Sequence, residues 1–112
     1  MRVLGIDPGL ATVGYGLLEK NEKACGAVDY GYISTPAGLA LPQRLLIIFR
    51  SVKQLISRFS PDVLVIERLF FCRNIRTALQ VGEARGAVFT AAAETELPVF
   101  EYTPLQVKQA VT

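Results

Sequence analysis

The chain has 112 residues, 51% of them hydrophobic and 20% charged, which is typical of one folded domain and excludes a disordered chain. It has no histidine and only two cysteines, so imidazole chemistry, a disulfide framework and a cysteine metal site are excluded. No apolar run is long enough to cross a membrane, and a net charge of +2 is too small to indicate nucleic acid by itself.

The first predicted strand is a short apolar run that ends in one acid, Asp7. Pro8 and Gly9 then predict a turn, in which we expect Gly9 to adopt the positive φ that often follows proline. An unpaired carboxylate is costly inside a sheet, so Asp7 should lie at the strand end and face solvent or a cation. The alternative is that Asp7 only hydrogen-bonds its own turn.

Periodicity predicts an α/β order of elements, β-β-β-α-β-α-β, with a last helix only begun. The first three strands are joined by short turns, which is typical of an antiparallel meander. A helical crossover then lets the fourth strand lie parallel to the first. The predicted elements are strands ending near 7, at 12–20, at 24–34, at 63–67 and at 99–102, and helices at 42–59 and 75–95.

The fourth strand is also apolar and also ends in an acid, Glu67. Parallel neighbours would bring Asp7 and Glu67 to one edge of the sheet, where ligands usually bind. Two carboxylates without histidine or a phosphate loop are most suited to Mg²⁺, and a pair of such ions can clamp a phosphodiester during cleavage. The alternative is that Glu67 pairs with Arg68 or another arginine. Glu101 is left out, because its position fits an outward surface residue equally well.

The segment after Glu67 combines aromatic and basic residues. Phe70 and Phe71 are adjacent, and three arginines without an acid lie between Arg68 and Arg76. An exposed phenylalanine would suit base stacking, with arginines on phosphates. The alternative is a phenylalanine that plugs the sheet edge.

These residues together resemble the RuvC family of Holliday-junction resolvases. The resemblance covers essentially the whole chain, and its joint spacing is more specific than any one motif. The matching segments are 4–9, 12–16, 65–67, Phe70, Asn74, 78–79, 82–86, 97–102 and 106–109.

The resemblance implies a ribonuclease-H-like fold with a five-stranded mixed sheet, as one nuclease domain over residues 1–112. It implies a homodimeric, bacterial cytoplasmic endonuclease that nicks four-way DNA junctions symmetrically with Mg²⁺ or Mn²⁺, two ions per complete site, alongside branch-migration helicase proteins. Asp7 and Glu67 match two of the family's four acidic metal ligands. Phe70 matches the family's aromatic residue that stacks on junction bases, and Lys108 matches a basic residue near the active site that we assign to DNA binding. Arg73 and Arg76 lie in the corresponding DNA-facing loop and are assigned to DNA binding by location and charge, together with Asn74.

Two further features concern the helices. Ala78, Gly82 and Gly86 form a small-residue face on the second helix, which would permit close packing, and by family analogy we expect it at a dimer interface.

The remaining two acidic ligands of the family would lie beyond Thr112, on a final helix. We therefore expect a C-terminally truncated domain, inactive or very weak, with apolar surface exposed where that helix packs.

Two other functions remain open at this stage. One is an actin-like or sugar-kinase-like ATP-binding domain, which also begins with a strand, an aspartate and a glycine turn; ATP binding would distinguish it. The other is a non-catalytic DNA-binding remnant, whose junction binding would not depend on Mg²⁺.

Overall fold

The computed structural model describes residues 1–23, 25–67 and 75–102. It confirms each predicted strand and helix in these ranges, with ends that differ from the predicted ones by a residue at most. The elements are β1 (Arg2–Asp7), β2 (Thr12–Lys20), β3 (Cys25–Ser34), α1 (Leu41–Phe59), β4 (Val63–Glu67), α2 (Ile75–Glu94) and β5 (Val99–Tyr102). None of the helices within these ranges combines the length and apolarity needed to cross a membrane.

The five strands form one mixed sheet in the order β3-β2-β1-β4-β5. β1, β2 and β3 pair antiparallel, as a meander requires, while β4 runs parallel to both β1 and β5. The predicted mixed sheet is therefore confirmed. β1 lies at its centre because α1 carries the chain across from the edge strand β3 to β4.

The hydrophobic core lies between one face of this sheet and the two helices. Alternate residues of the central strands, such as Leu4 and Ile6 of β1, are buried on this face. The helices contribute Ile48 and Val52 of α1 and Val88 of α2, all fully buried. The opposite face is named here the open face, because neither α1 nor α2 packs on it.

Helix α1 begins and ends where local chemistry requires it. Pro42 lies in the first turn, where its missing N–H costs nothing. At the other end the backbone of Ser60 adopts the left-handed helical conformation with φ 46°, and its N–H donates to the carbonyl of Ile56 at 2.9 Å. This geometry ends the helix just before Pro61, as the sequence predicts.

The turn after Asp7 differs from the prediction in one respect. No glycine among the described residues has a positive φ, so the positive φ expected at Gly9 is wrong. The glycine is needed for a different reason, since a Cβ placed there would lie 2.6 Å from the carbonyl oxygen of Thr12. The chain closes on itself so tightly that a side chain has no room.

The small-residue face of α2 makes no close contact within the described chain. Gly82 and Gly86 are exposed, and a Cβ at either position would meet no atom within 4 Å. The helix packs instead through Ala84, Val88 and their neighbours. The use of the glycine face in a dimer therefore stays a prediction.

Candidate metal centre

Asp7 and Glu67 end two neighbouring parallel strands at the same level. The β1–β4 register pairs Ile6 with Ile66, so each acid lies one residue beyond the last pair. Adjacent strands are about 4.8 Å apart, and side chains at matching register point to the same face. Ile6 and Ile66 are buried against the helices while both acids are exposed, which places both acids on the open face.

A groove on the open face begins at these two carboxylates. It encloses about 400 Å³, and its floor is formed by backbone because Gly5, Gly14 and Gly16 lie side by side on β1 and β2. Two exposed tyrosines of β3, Tyr30 and Tyr32, form one wall. The groove therefore runs along the open face from the two acids, with the two tyrosines on its β3 side.

The carboxylates have the properties that a divalent cation requires. Both side chains are exposed, and neither carboxylate forms a hydrogen bond or ion pair with another residue in the described ranges. Two oxygen donors at one level fit Mg²⁺, which takes one or two carboxylates and keeps several waters. Within residues 1–23, 25–67 and 75–102, no group of three or more potential ligand side chains is present. The described donor set is therefore a pair of carboxylates.

The turn that carries Asp7 is held by a buried threonine. The hydroxyl of Thr35 donates to the carbonyl of Leu10 at 2.5 Å, and the N–H of Thr35 donates to the carbonyl of Ala11 at 3.0 Å. The Nε of Arg44, at the start of α1, donates in turn to the Thr35 hydroxyl at 2.9 Å. Helix α1, the end of β3 and the Asp7 turn are thereby connected through one side chain.

The end of β4 is held by a buried arginine. Arg85 of α2 is 8% exposed, and its Nη1 donates to the backbone carbonyl of Glu67. Its Nη2 donates to Oε2 of Glu101 at 2.9 Å, in a salt bridge across to β5. Buried polar contacts thus hold the turn that follows Asp7 and the backbone of Glu67. Neither set of contacts is among the expectations from the sequence.

Of the other predicted site residues, only Arg76 lies within the described ranges. It is exposed in the first turn of α2. Phe70, Arg73, Asn74 and Lys108 lie outside the described residues, so the structure brings together only the acid pair of the predicted set.

A signal for the missed arginine is present in the sequence. Arg85 occupies an apolar position of α2, in register with Val81, Val88 and Ala92 at helical spacing. A charged residue within an apolar stripe predicts a buried ion pair. For Thr35 no comparable pattern exists, because its partners are backbone carbonyls of a distant turn.

Comparison with known proteins gives a consistent result. The family model described as Crossover junction endodeoxyribonuclease RuvC matches residues 3–112. The chain is 50% identical over 112 residues to the protein of that name from Brevibacillus brevis, covering 100% of this chain and 68% of the relative. For the relative from Halothermothrix orenii the identity is 48% over 111 residues, covering 99% of this chain and 67% of the relative.

A solved structure shows the same arrangement of elements. T. thermophilus RuvC in complex with Holliday junction substrate is similar with a TM-score of 0.90 and 36% identity, over 98% of this chain and 67% of that chain. The chain therefore spans about two thirds of the length of that protein.

Proposed function

The chain belongs to the RuvC family of crossover junction endodeoxyribonucleases, and from this membership we propose that it cuts four-way DNA junctions in the groove that begins at Asp7 and Glu67. The observation that carries the proposal is the exposed pair of carboxylates at one level of two parallel strands. Such a pair has no role in stabilising the sheet.

We propose that the two acids hold divalent ions, Mg²⁺ or Mn²⁺, two in a complete site. When bound, such ions activate a water molecule and stabilise the oxygen that leaves the phosphorus atom. The protein's part is to hold oxygen donors at fixed separation, which the common register of β1 and β4 provides. The open groove leaves space for a phosphodiester beside the acids. Its floor at Gly16 is free of side chains, since a Cβ there would meet no atom within 4 Å.

DNA contacts are proposed for the segment that follows Glu67. Phe70 would stack on bases, while Arg73, Asn74 and Arg76 would contact the DNA backbone. Lys108, outside this segment, would contact the DNA as a basic residue near the active site. The proposal is supported by the likeness to T. thermophilus RuvC, whose structure is described as a complex with Holliday junction substrate. The exposed position of Arg76, in the helix that follows this segment, is compatible with that role.

A homodimer is proposed through one exposed stripe of α2. Ile75 and Leu79 are 80% and 62% exposed, and with Gly82 and Gly86 they recur at the spacing of a coiled-coil seam. Exposed apolar residues with small residues between them allow two helices to approach closely. Two copies would present two sites to the two strands of a junction that are cut symmetrically.

Three wider proposals follow from the proposed activity. Residues 1–112 would form a single nuclease domain. A junction-cutting enzyme would act in the bacterial cytoplasm, where the chromosome lies. Branch-migration helicase proteins would be its partners, because they move the junction to the sequence that is cut.

The test is a nicking assay on a synthetic four-way junction, with linear duplex as the control substrate. We expect Mg²⁺-dependent nicking near the crossover by the chain continued with the remaining third of a relative, and weak or no nicking by the 112 residues alone. Asp7→Asn should preserve junction binding and lower nicking by more than about 100-fold, beyond the usual cost of removing a residue that only supports a ligand. Glu22→Gln, at an exposed acid in the turn between β2 and β3, should leave both unchanged.

Other outcomes would identify a different function. Junction binding that ignores Mg²⁺, without nicking by either form, would indicate a DNA-binding remnant. Binding of ATP without junction binding would favour the ATP-binding domain. Full nicking by Asp7→Asn would show that Asp7 is only a turn residue and would overturn the proposed site.

A further inference from the structure

Arg85 is a buried cation in a helix that otherwise packs through alanine and valine. It is 8% exposed, and its neighbours Ala84 and Val88 are fully buried. Burying a guanidinium is expensive, and well-packed apolar residues usually stabilise such a position equally well or better. A structural role alone does not explain why an arginine occupies this position.

The contacts of Arg85 converge on the end of β4. One nitrogen donates to the backbone carbonyl of Glu67, the second to the carboxylate of Glu101 on β5 at 2.9 Å. The guanidinium also lies over the ring of Phe89, with its carbon 5.2 Å from the ring centre. The planar guanidinium therefore has partners on three sides, and two of its contacts reach the ends of neighbouring strands, at Glu67 of β4 and Glu101 of β5.

The pairing of β4 with β1 ends one residue before Glu67. The β1–β4 pairing ends at Ile6 and Ile66, whereas the β4–β5 pairing continues to Glu67 and Tyr102. The N–H of Leu64 donates to the carbonyl of Pro98 on the β5 side, so by alternation along the strand the carbonyl of Glu67 points toward β1. The residue following β1 that would donate to this carbonyl is Pro8, which has no N–H. Arg85 supplies an additional hydrogen bond at Glu67, from the helical side of the sheet.

We propose that Arg85 is a positioning residue for metal binding: it fixes the backbone of Glu67, so that the Glu67 carboxylate stays level with that of Asp7. The guanidinium acts from the buried face and does not itself contact the metal or the DNA. Glu101 contributes by accepting a hydrogen bond from the second nitrogen of the Arg85 guanidinium. This inference rests on the proposed function, because it assumes that Asp7 and Glu67 hold the metal.

The competing interpretation is that Arg85 only fastens α2 to the sheet. Both interpretations predict that Arg85→Met lowers stability, so stability cannot distinguish them. They differ in metal affinity, because only a positioning role makes the affinity of the Asp7–Glu67 pair depend on Arg85. The decisive quantity is therefore the dissociation constant for Mn²⁺ in variants that remain folded.

Arg2 provides a matched control at the other end of β1. Its Nη1 donates to the backbone carbonyl of Phe59 at 2.9 Å, and its Nε lies 3.6 Å from Oε2 of Glu19. It therefore makes the same two kinds of contact as Arg85, to a carbonyl and to a glutamate. Asp7→Asn serves as the variant that removes a proposed metal ligand directly.

The experiment is a Mn²⁺ titration of the 112-residue chain, followed by calorimetry and by the electron paramagnetic resonance of free Mn²⁺. We expect Arg85→Met to weaken Mn²⁺ binding about 10-fold, as loss of a partner that supports a ligand usually does. Arg85→Lys should restore only part of the affinity, because an ammonium lacks the planar fork that reaches both partners. Arg2→Met should lower the melting temperature and leave Mn²⁺ affinity unchanged.

The pattern of results separates the two proposals. If Asp7→Asn binds Mn²⁺ as well as the parent chain does, or the parent binds none, the proposed site fails and this inference fails with it. If Asp7→Asn weakens binding while folded Arg85→Met binds normally, only the positioning role is overturned. Should Arg85→Met not fold, Glu101→Gln decides: weakened Mn²⁺ binding supports the role, and unchanged binding overturns it.

Discussion

Thr35→Val tests whether the turn after Asp7 depends on one buried hydroxyl. Valine has nearly the shape of threonine, so the packing of this 6% exposed side chain is retained. The substitution removes the donor to the carbonyl of Leu10 and the acceptor for Nε of Arg44. Only hydrogen bonding changes, which makes the cost attributable to these two contacts.

The expected cost follows from what each partner can do afterwards. Leu10 is 8% exposed, so its carbonyl has little access to water, and losing a donor there costs about 1–3 kcal/mol. Arg44 is half-buried and retains a long contact of 3.5 Å to the carbonyl of Thr35. Losing the hydrogen bond from Nε of Arg44 to the hydroxyl therefore adds little to the cost. We expect the free energy of unfolding to fall by about 2 kcal/mol, and the melting temperature by about 8 °C in a domain of this size.

The assay is urea unfolding followed by circular dichroism, with the m-value compared between variants. Thr90→Val is the matched control, because the exposed Thr90 hydroxyl also donates to a backbone carbonyl, that of Gly86 at 2.8 Å. It should change stability by less than about 0.5 kcal/mol. Equal effects of the two substitutions would refute the claim that burial of the Thr35 contacts determines their contribution.

Two other substitutions test close approach and assembly. Gly9→Ala should lower the free energy of unfolding by about 1–3 kcal/mol, since its Cβ would lie 2.6 Å from a backbone oxygen. A Cβ added at Gly16 would meet no atom within 4 Å, so Gly16→Ala should not destabilise the chain in the same urea titration. Leu79→Glu should turn a dimer into a monomer in sedimentation experiments, whereas Leu46→Glu, at an exposed leucine of α1, should leave the dimer intact. A dimer retained in Leu79→Glu would exclude the α2 stripe as the interface.

Most of the fold could be predicted because its elements are locally consistent. The alternation of β2 and β3 and the apolar stripe of α1 each favour one structure, and Ser60-Pro61 marks a clear helix end. The parallel alignment of β1 and β4 followed from the crossover rule without any knowledge of contacts. In each case the pattern lies within about twenty residues, where periodicity is informative.

The parts that could not be predicted depend on contacts between distant segments. Gly9 was assigned a positive φ from its turn, yet the observed constraint is the approach of Thr12, which depends on how the strand returns. The face of α2 that packs is the alanine and valine side, although its glycines favour close approach equally well on composition. Thr35 holds backbone carbonyls of a distant turn, which carry no sequence signal. For Arg85 the sequence pattern predicts a buried ion pair but not the contact with the carbonyl of Glu67.

The common register of β1 and β4 has a consequence for insertions and deletions. Because successive residues of a strand point to opposite faces, deleting one residue such as Val65 would turn Glu67 toward the helices while Asp7 stayed in the groove. The same deletion in the loop at 36–39 would leave both strands in phase. Insertions and deletions should therefore be tolerated in the loops but not within β1 or β4. The number of residues in these two strands constrains the chain as strongly as the identity of the two acids does.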